Sequence, residues 1–323
     1  MKKIRIGIVG YGNLGRGVET GLKYAEDMEL VGVFTRRDAS EIESESKVYN
    51  LKEIDNFKDS IDVLILCGGS ANDIPEQAPR LAVDFNTVDS FDNHAHIPEY
   101  CNKMDSILKE NKRTSVVSSG WDPGLFSINR VLSEAILPHG ETFTFWGTGV
   151  SQGHSDAIRR VSGVSAAVQY TIPSTELINA IANGEKVNYN SHTAHKRKCY
   201  IVAEEGSNLD TIRETIVNMP DYFVGYETEV EFIDMEEFEK NHKGMPHGGK
   251  VIRRGFTDDV NMSLYEFSLN LNSNPQFTAA VNIAYARACY KLHNEGIYGA
   301  KTVLDVPIRY LSPKSYDELL KMI

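Results

Sequence analysis

The stretch Ile4-Arg5-Ile6-Gly7-Ile8-Val9-Gly10-Tyr11-Gly12-Asn13-Leu14-Gly15 decides how the rest of the chain is read. A short apolar run ends in Gly-x-Gly-x-x-Gly, and Arg16 to Leu22 continue in a helix-like pattern. A strand before the glycines and a helix after them separate a dinucleotide-binding turn from an ordinary glycine-rich one. Gly10 is expected to make the tight turn, Gly12 to bare the backbone to a pyrophosphate, and Gly15 to let the helix pack close to the sheet. The helix start then offers N–H groups and partial positive charge to the phosphates.

Outward from this stretch, a second apolar run, Leu30 to Phe34, ends in Thr35-Arg36-Arg37. An NAD-binding fold places an acidic residue about 20 positions after the glycine loop to hold the ribose 2′-hydroxyl. Here a hydroxyl and two guanidinium groups stand there, which suits the 2′-phosphate of NADP, whereas a carboxylate would repel it. The competing reading of Arg36 and Arg37 is a solvated surface pair. A polar stretch, 41–59, carries a short strand around Val48. Asp62 to Cys67 reads as a buried parallel strand closed by Gly68-Gly69-Ser70. A helix follows, Ile74 to Ala82, then a strand, Asn86 to Asp89, leading into Ser90-Phe91-Asp92. A helix from Pro98 to Asn111 and a strand from Ser115 to Val117 lead into Ser118-Ser119-Gly120-Trp121-Asp122-Pro123. The alternation predicts a Rossmann-type α/β domain, a parallel sheet with right-handed crossovers and ligands beyond its carboxyl strand ends. Two of those post-strand loops deliver an aspartate, Asp92 and Asp122; a lone aspartate there usually caps a turn, and two on one sheet edge point to chemistry.

After Gly124 the pattern changes. Phe126 to Leu137 reads as a helix with an apolar face for a core or a partner subunit, Thr142 to Trp146 as a strand, and Ser151 to Asp156 as a polar loop. Lys198 to Ala203, Thr228 to Ile233 and Met262 to Leu271 read as half-exposed strands. Thr175 to Ala182, capped by Ser174, and Leu209 to Asn218 read as helices. This is α+β character with a mixed or antiparallel sheet. A long helix starts at Asn274-Pro275 and runs toward His293, and Ser312-Pro313 opens a last short one. The expected division is a first domain of residues 1–119 with 298–323 and a second of residues 120–297. A chain of 323 residues is long for a single core.

A net charge of −11 without a compensating basic block excludes nucleic acid and anionic membrane as general partners. The apolar run Val63 to Cys67 is far short of the ~20 residues of a membrane helix, and the N-terminus lacks a signal-peptide pattern, so a cytoplasmic location is expected. Cys67, Cys101, Cys199 and Cys289 form no C-x-x-C, so neither a metal site nor a disulfide framework is suggested, and Cys67 reads as a small core residue. Lys196-Arg197-Lys198, with His192 and His195 before it, is the one basic concentration, and two readings stand: a solvated face, or capture of a carboxylate by Arg197. His247, in the glycine-rich stretch Gly244 to Gly249, has no acidic partner at metal-ligand spacing and reads as a hydrogen-bonding histidine.

Taken together, the longer motifs resemble the meso-diaminopimelate dehydrogenases over nearly the whole chain. The resemblance is carried by 10–16, Thr35-Arg36-Arg37, 73–79, Gly120 to Gly124, Phe145-Trp146-Gly147, Ser151 to Asp156 and 168–171. His195-Lys196-Arg197, 219–226 and Gly244 to Gly249 complete it. It implies NADP-dependent, reversible oxidative deamination of the D-centre of meso-2,6-diaminopimelate to L-2-amino-6-oxopimelate and ammonia, in a homodimer. It implies an NADP site of Gly10, Tyr11, Gly12, Asn13, Leu14, Gly15, Thr35, Arg36, Arg37, Cys67, Gly68, Gly69, Ser70, Ser90, Phe91 and Asp92, with Ser119, Gly120, Trp121, Asp122 and Pro123. It implies substrate contacts from Asp92, Asp122, Trp146, Gln152, Gly153, Thr171, Arg197, His247 and Asn274, with Asp122 and Asp92 assisting proton transfer. Two rivals remain. A semialdehyde dehydrogenase or dihydrodipicolinate reductase relative shares the build, though the former needs an acylating cysteine that this chain lacks in a suitable loop. A non-catalytic NADP(H) sensor would need the glycines and arginines but not the two aspartates and Arg197.

Overall fold

The computed structural model of the chain describes residues 2–323, which form two compact units, Met1–Ile128 with Pro275–Ile323 and Asn129–Asn274. In chain order the first segment holds β1 (Ile4–Val9), α1 (Asn13–Leu22), β2 (Met28–Thr35), β3 (Val48–Asn50), β4 (Val63–Leu66) and α2 (Asp73–Leu81). β5 (Asn86–Asp89), α3 (Ile97–Glu110), β6 (Thr114–Val116) and α4 (Leu125–Ile136) follow. The middle segment holds β7 (His139–Trp146), β8 (Gly149–Val150), α5 (Gln152–Arg159), β9 (Val164–Pro173), α6 (Thr175–Ala182), α7 (Ser191–Ala194) and β10 (His195–Ala203). It continues with α8 (Leu209–Val217), β11 (Thr228–Phe232), α9 (Met235–Asn241), β12 (His247–Phe256) and β13 (Met262–Leu271). α10 (Asn274–Asn294), β14 (Gly299–Lys301) and α11 (Tyr316–Leu320) end the chain.

In the first unit seven strands form one parallel sheet, ordered β14-β6-β5-β4-β1-β2-β3. Both faces of the central strands are covered. Ile6, Ile8, Val63 and Ile65 are buried in the core on one face, Val9, Leu64 and Leu66 in the core on the other, which is why Val63 to Leu66 reads as a continuous apolar run instead of an alternating one. Strand order reverses at β1, so the crevice for a ligand opens beyond the carboxyl ends of β1 and β4.

The second unit has two sheets. β11-β10-β9-β8 is mixed, with β10 and β11 parallel and the rest antiparallel, and β13-β12-β7 is antiparallel throughout. The expected α+β character is thus divided between two layers of strands. Strands β9 and β12 were not legible beforehand. Gly248 and Gly249 disguise β12 as loop, although both are buried within the ladder.

Several expectations are corrected. The polar run Ser151 to Asp156 is not a loop: it opens α5, where Ser155 donates its N–H to the Ser151 carbonyl (3.0 Å) and Ser155, Ala157 and Ile158 are buried. Residues 120–128 and 275–297, expected in the second domain, belong to the first unit. There Ala279, Ile283, Ala286 and Cys289 of α10 share a core with Ile4, Ile6 and Ile8. The last helix opens at Tyr316, capped by Ser315 in a reciprocal box with Glu318, and not at Ser312-Pro313.

Candidate functional site

In the first unit a cleft of about 320 Å³ lies at the carboxyl ends of β1, β2 and β4. Gly10, Tyr11, Gly12, Thr35, Arg36, Arg37, Cys67, Gly68 and Gly69 line it, with Asp73 and Gln77 from α2. Its glycines do three different jobs. Gly10 has φ +91°, a backbone that side-chain-bearing residues avoid, and turns the chain against Cys67 and Gly68. A Cβ on Gly15 would fall 2.3 Å from the Gly10 carbonyl, so only glycine lets α1 pack there. A Cβ on Gly12 would meet nothing within 4 Å. Gly12 is therefore not required by packing, and the space above its backbone is open to a ligand. No side chain caps the start of α1 and its first turn carries no acidic residue, so its positive end faces no competing anion there.

At the far end of β2 the two arginines are already oriented. Arg36 pairs with Asp73, whose other oxygen accepts the Gly69 N–H at 2.9 Å, and Arg37 donates to the Tyr11 carbonyl. The Arg37 N–H also donates to Thr35 Oγ1 at 3.1 Å. Cys67 is buried, and burial pushes its thiol pKa up, away from the thiolate a nucleophile needs. These groups fit a phosphorylated dinucleotide: open backbone at a helix start, then a cationic fork beyond it.

Ser90, Phe91 and Asp92 follow β5, and Ser119 to Pro123 follow β6, on the same sheet edge but outside that cleft. One buried residue that the sequence did not single out, Asp89, joins the two loops. Its Oδ1 accepts the N–H groups of Phe91 and Ser118, both at 3.0 Å, its Oδ2 accepts the Tyr100 hydroxyl at 2.7 Å, and its carbonyl accepts the Ser119 N–H at 2.8 Å. Burial raises its pKa, opposed by these hydrogen bonds. Asp92 is exposed and receives a fixed backbone, its N–H donating to Ser70 Oγ at 2.9 Å. Asp122 is half-buried between Trp121 and a cis-linked Pro123.

The second unit gathers Trp146, Thr171, Arg197 and His247. Arg197 and Thr171 face each other across the β9–β10 ladder, Gly149 of β8 pairs with Thr171, and Gly149 lies against His247 with no room for a Cβ. Gly147 N–H donates to the Gly248 carbonyl at 2.8 Å, tying the end of β7 to the same place. Asn274 donates its N–H to the Met245 carbonyl at 2.9 Å, beside the 244–247 turn. Gln152 and Gly153 are exposed at the start of α5.

The basic run before β10 divides by strand alternation. Lys196 and Lys198 point outward to Glu227, Glu229 and Glu231, as a solvated face, while His195 and Arg197 point inward and are buried. Arg197 Nη1 donates to Thr171 Oγ1 at 2.7 Å, and its Nε, also buried, has no partner. Burial lowers its pKa; the groups acting on its charge are Tyr226 and Cys199, neither a carboxylate. His154 and His195 are both pushed down to about 4, first by burial and further by Arg197, so they are neutral near pH 7. Arg197 is thus a buried cation with no anion of its own. Missing from the sequence reading were Asp89, His154 and Tyr226: they act through contacts made across the fold, for which no local pattern exists.

These features define a class: a two-unit protein with a Rossmann-type dinucleotide cleft in one unit and a buried, unneutralised arginine in the other. Residues 120–273 match the family model of the diaminopimelic acid dehydrogenase C-terminal domain. The chain is 54% identical to the meso-diaminopimelate D-dehydrogenase of Ureibacillus thermosphaericus over 323 residues, 99% of each chain. Among solved structures it resembles a six-substitution variant of the Clostridium tetani E88 meso-DAP dehydrogenase with DAP. Identity is 52%, coverage 99% of this chain and 100% of that one, and the TM-score 0.93. An engineered D-amino acid dehydrogenase bound to NADP+ is 44% identical, with 99% of both chains covered and a TM-score of 0.85. The chain belongs to the meso-diaminopimelate dehydrogenase family.

Proposed function

We propose that the chain catalyses the NADP-dependent, reversible oxidative deamination of the D-centre of meso-2,6-diaminopimelate. The products are L-2-amino-6-oxopimelate, which cyclises to tetrahydrodipicolinate, and ammonia. The observation that carries this reading is Arg197, a buried guanidinium with an unpartnered Nε and no carboxylate acting on it. A charge left in that state is costly unless a ligand supplies the anion. Arg197, with Thr171 and His247, binds the carboxylate at the L-centre. Trp146, Gln152, Gly153 and Asn274 complete the surroundings of the substrate.

NADP is held by Gly10 to Gly15 through its pyrophosphate and by Thr35 to Arg37 through its 2′-phosphate, with Cys67 to Ser70, Ser90 to Asp92 and Ser119 to Pro123 along its length. When bound it supplies the hydride acceptor. Asp92 and Asp122 hold the ammonium at the D-centre and accept its proton, so that nitrogen can leave as ammonia after water adds to the same carbon. The apolar face of α4, where Val131 (51%), Leu132 (46%) and Ile136 (56%) are exposed, supports a homodimer. Among the described residues no helix is long and apolar enough to cross a membrane. The reaction stands in lysine and diaminopimelate biosynthesis, and with it goes a cytoplasmic site of action.

NADP reduction at alkaline pH with the meso, LL and DD isomers tests the reading. Turnover of the meso form alone is expected, and silence on all three would point to an NADP(H) sensor. Asp122→Asn should lower kcat/KM by about 100-fold or more while NADP binding is kept. Near-normal turnover would remove Asp122 from the proton transfer.

A further inference from the structure

Gly225, Tyr226 and His192 have no assigned role in the reading above, yet they build one wall against Arg197. Gly225, at φ +88°, turns the chain so that Tyr226 follows, and Arg197 Cζ lies 4.0 Å from the Tyr226 ring centroid. His192 meets the same ring edge-on, with centroids 4.4 Å apart at 69°. The positive φ favours glycine at 225, and a Cβ there would come 3.2 Å from His192 Nε2, a tight contact. Arg197 otherwise has one neutral hydrogen bond from Nη1 and an unpartnered Nε.

We propose that Tyr226 is a positioning residue for Arg197: its ring, braced by His192, carries the guanidinium until a carboxylate arrives and fixes the plane in which that carboxylate is met. This rests on Arg197 being the carboxylate anchor. A face-on aromatic ring is attractive to a cation, and more so where water is excluded. A planar guanidinium over a ring keeps its edge donors in one plane, the geometry in which a carboxylate is bound by two parallel hydrogen bonds. A lysine at 197 would gain no such orientation. The stack also explains why an arginine with no anion stays folded inward: the ring supplies electron density without a competing negative charge.

The distal carboxylate does not change during the reaction, so its anchor is bound alike in ground and transition states, and a loosened anchor raises KM with kcat kept. Tyr226→Leu should raise KM for meso-diaminopimelate roughly tenfold or more, with kcat within about threefold of the parent. Tyr226→Phe, which keeps the ring, should restore KM to within about threefold. In an Arg197→Met background, Tyr226→Leu should add nothing, because both changes act on one anchor. A parental KM in Tyr226→Leu, an equal loss in Tyr226→Phe, or an additive loss in the double variant would each overturn the proposal. An unchanged KM in Arg197→Met would overturn the anchor reading itself. Should Tyr226→Leu not fold, judged by near-ultraviolet circular dichroism, Tyr226→Met carries the same expectation.

Discussion

The backbone N–H of Trp146 donates to Nε2 of His195 at 2.9 Å, across the two sheets of the second unit. An acceptor nitrogen cannot carry a proton, so the His195 proton sits on Nδ1 and is directed to the Ser191 carbonyl, 3.2 Å away. The rings of the two residues also stack, 5.4 Å apart. The neutral His195 therefore adds a hold on the end of β7 to the one its ladder with β12 supplies.

Acid should undo this arrangement in a defined window. His195 and His154 are both held at about 4, below the ordinary 6.5. Between those values the folded chain binds fewer protons than the unfolded one, so stability falls as pH drops from about 6.5 to 4. Each histidine accounts for at most about 3 kcal/mol of that fall. Urea unfolding at pH 7 and pH 5 measures it, and His195→Gln should show the shallower loss. An identical slope in the variant would refute the assignment.

A second prediction concerns the return of α10 to the first unit. Arg287, buried, binds Asp27 with two hydrogen bonds, at 2.5 and 2.8 Å, and the Leu311 carbonyl with a third at 2.7 Å. Arg287→Met should destabilise the protein by roughly 2–3 kcal/mol, since it strips a bidentate partner from a half-buried carboxylate. Arg287 also lowers the pKa of Asp27, chiefly by hydrogen bonding. That contribution is present above about pH 4 and is lost as pH falls through the lowered value. Asp27→Asn should thus show a flatter acid limb in thermal melts recorded below pH 4.

Cofactor choice should move with Arg36. Its pairing with Asp73, itself held by the Gly69 N–H, fixes the guanidinium at the cleft before any phosphate arrives. Arg36→Ala should raise KM for NADP about 10- to 100-fold and leave turnover with NAD near its parental level. Equal losses with both cofactors would mean that the side chain serves the fold and not the 2′-phosphate.

The exposed stripe on α4 makes the last test. Leu132→Glu together with Ile136→Glu places two charges on a face that is not needed for the core of one subunit. A drop to monomer mass in light scattering, with an unchanged circular dichroism spectrum, is expected. A parental mass would remove α4 from the proposed subunit contact.

Much of the first unit could be read directly. Asn86 to Asp89 is a strand with the predicted ends, and Gly10 and Gly15 meet the turn and close-packing demands expected of them, while Gly12 leaves its backbone open. The second unit was harder. β12 hides behind Gly248 and Gly249, and the polar run at Ser151 to Asp156 is helical because Ser155, Ala157 and Ile158 on one side of α5 are buried. In both cases tertiary burial overrode local preference.

By itself, then, the sequence determined the parallel sheet, the dinucleotide turn and the cationic end of β2, because each depends on residues a few positions apart. Strand alternation also contained the division of Lys196, Arg197 and Lys198 into two outward cations and one inward cation. Which way the strand faced was settled only when α5 and α8 covered Cys199 and Ile201, on the same side as Arg197. The tertiary structure alone decided that Asp89 would latch the loops of Asp92 and Asp122, that His195 would be neutral, and that Tyr226 would lie against Arg197. Those outcomes depend on burial and on contacts between distant segments, and desolvation and ring stacking have no sequence period to read.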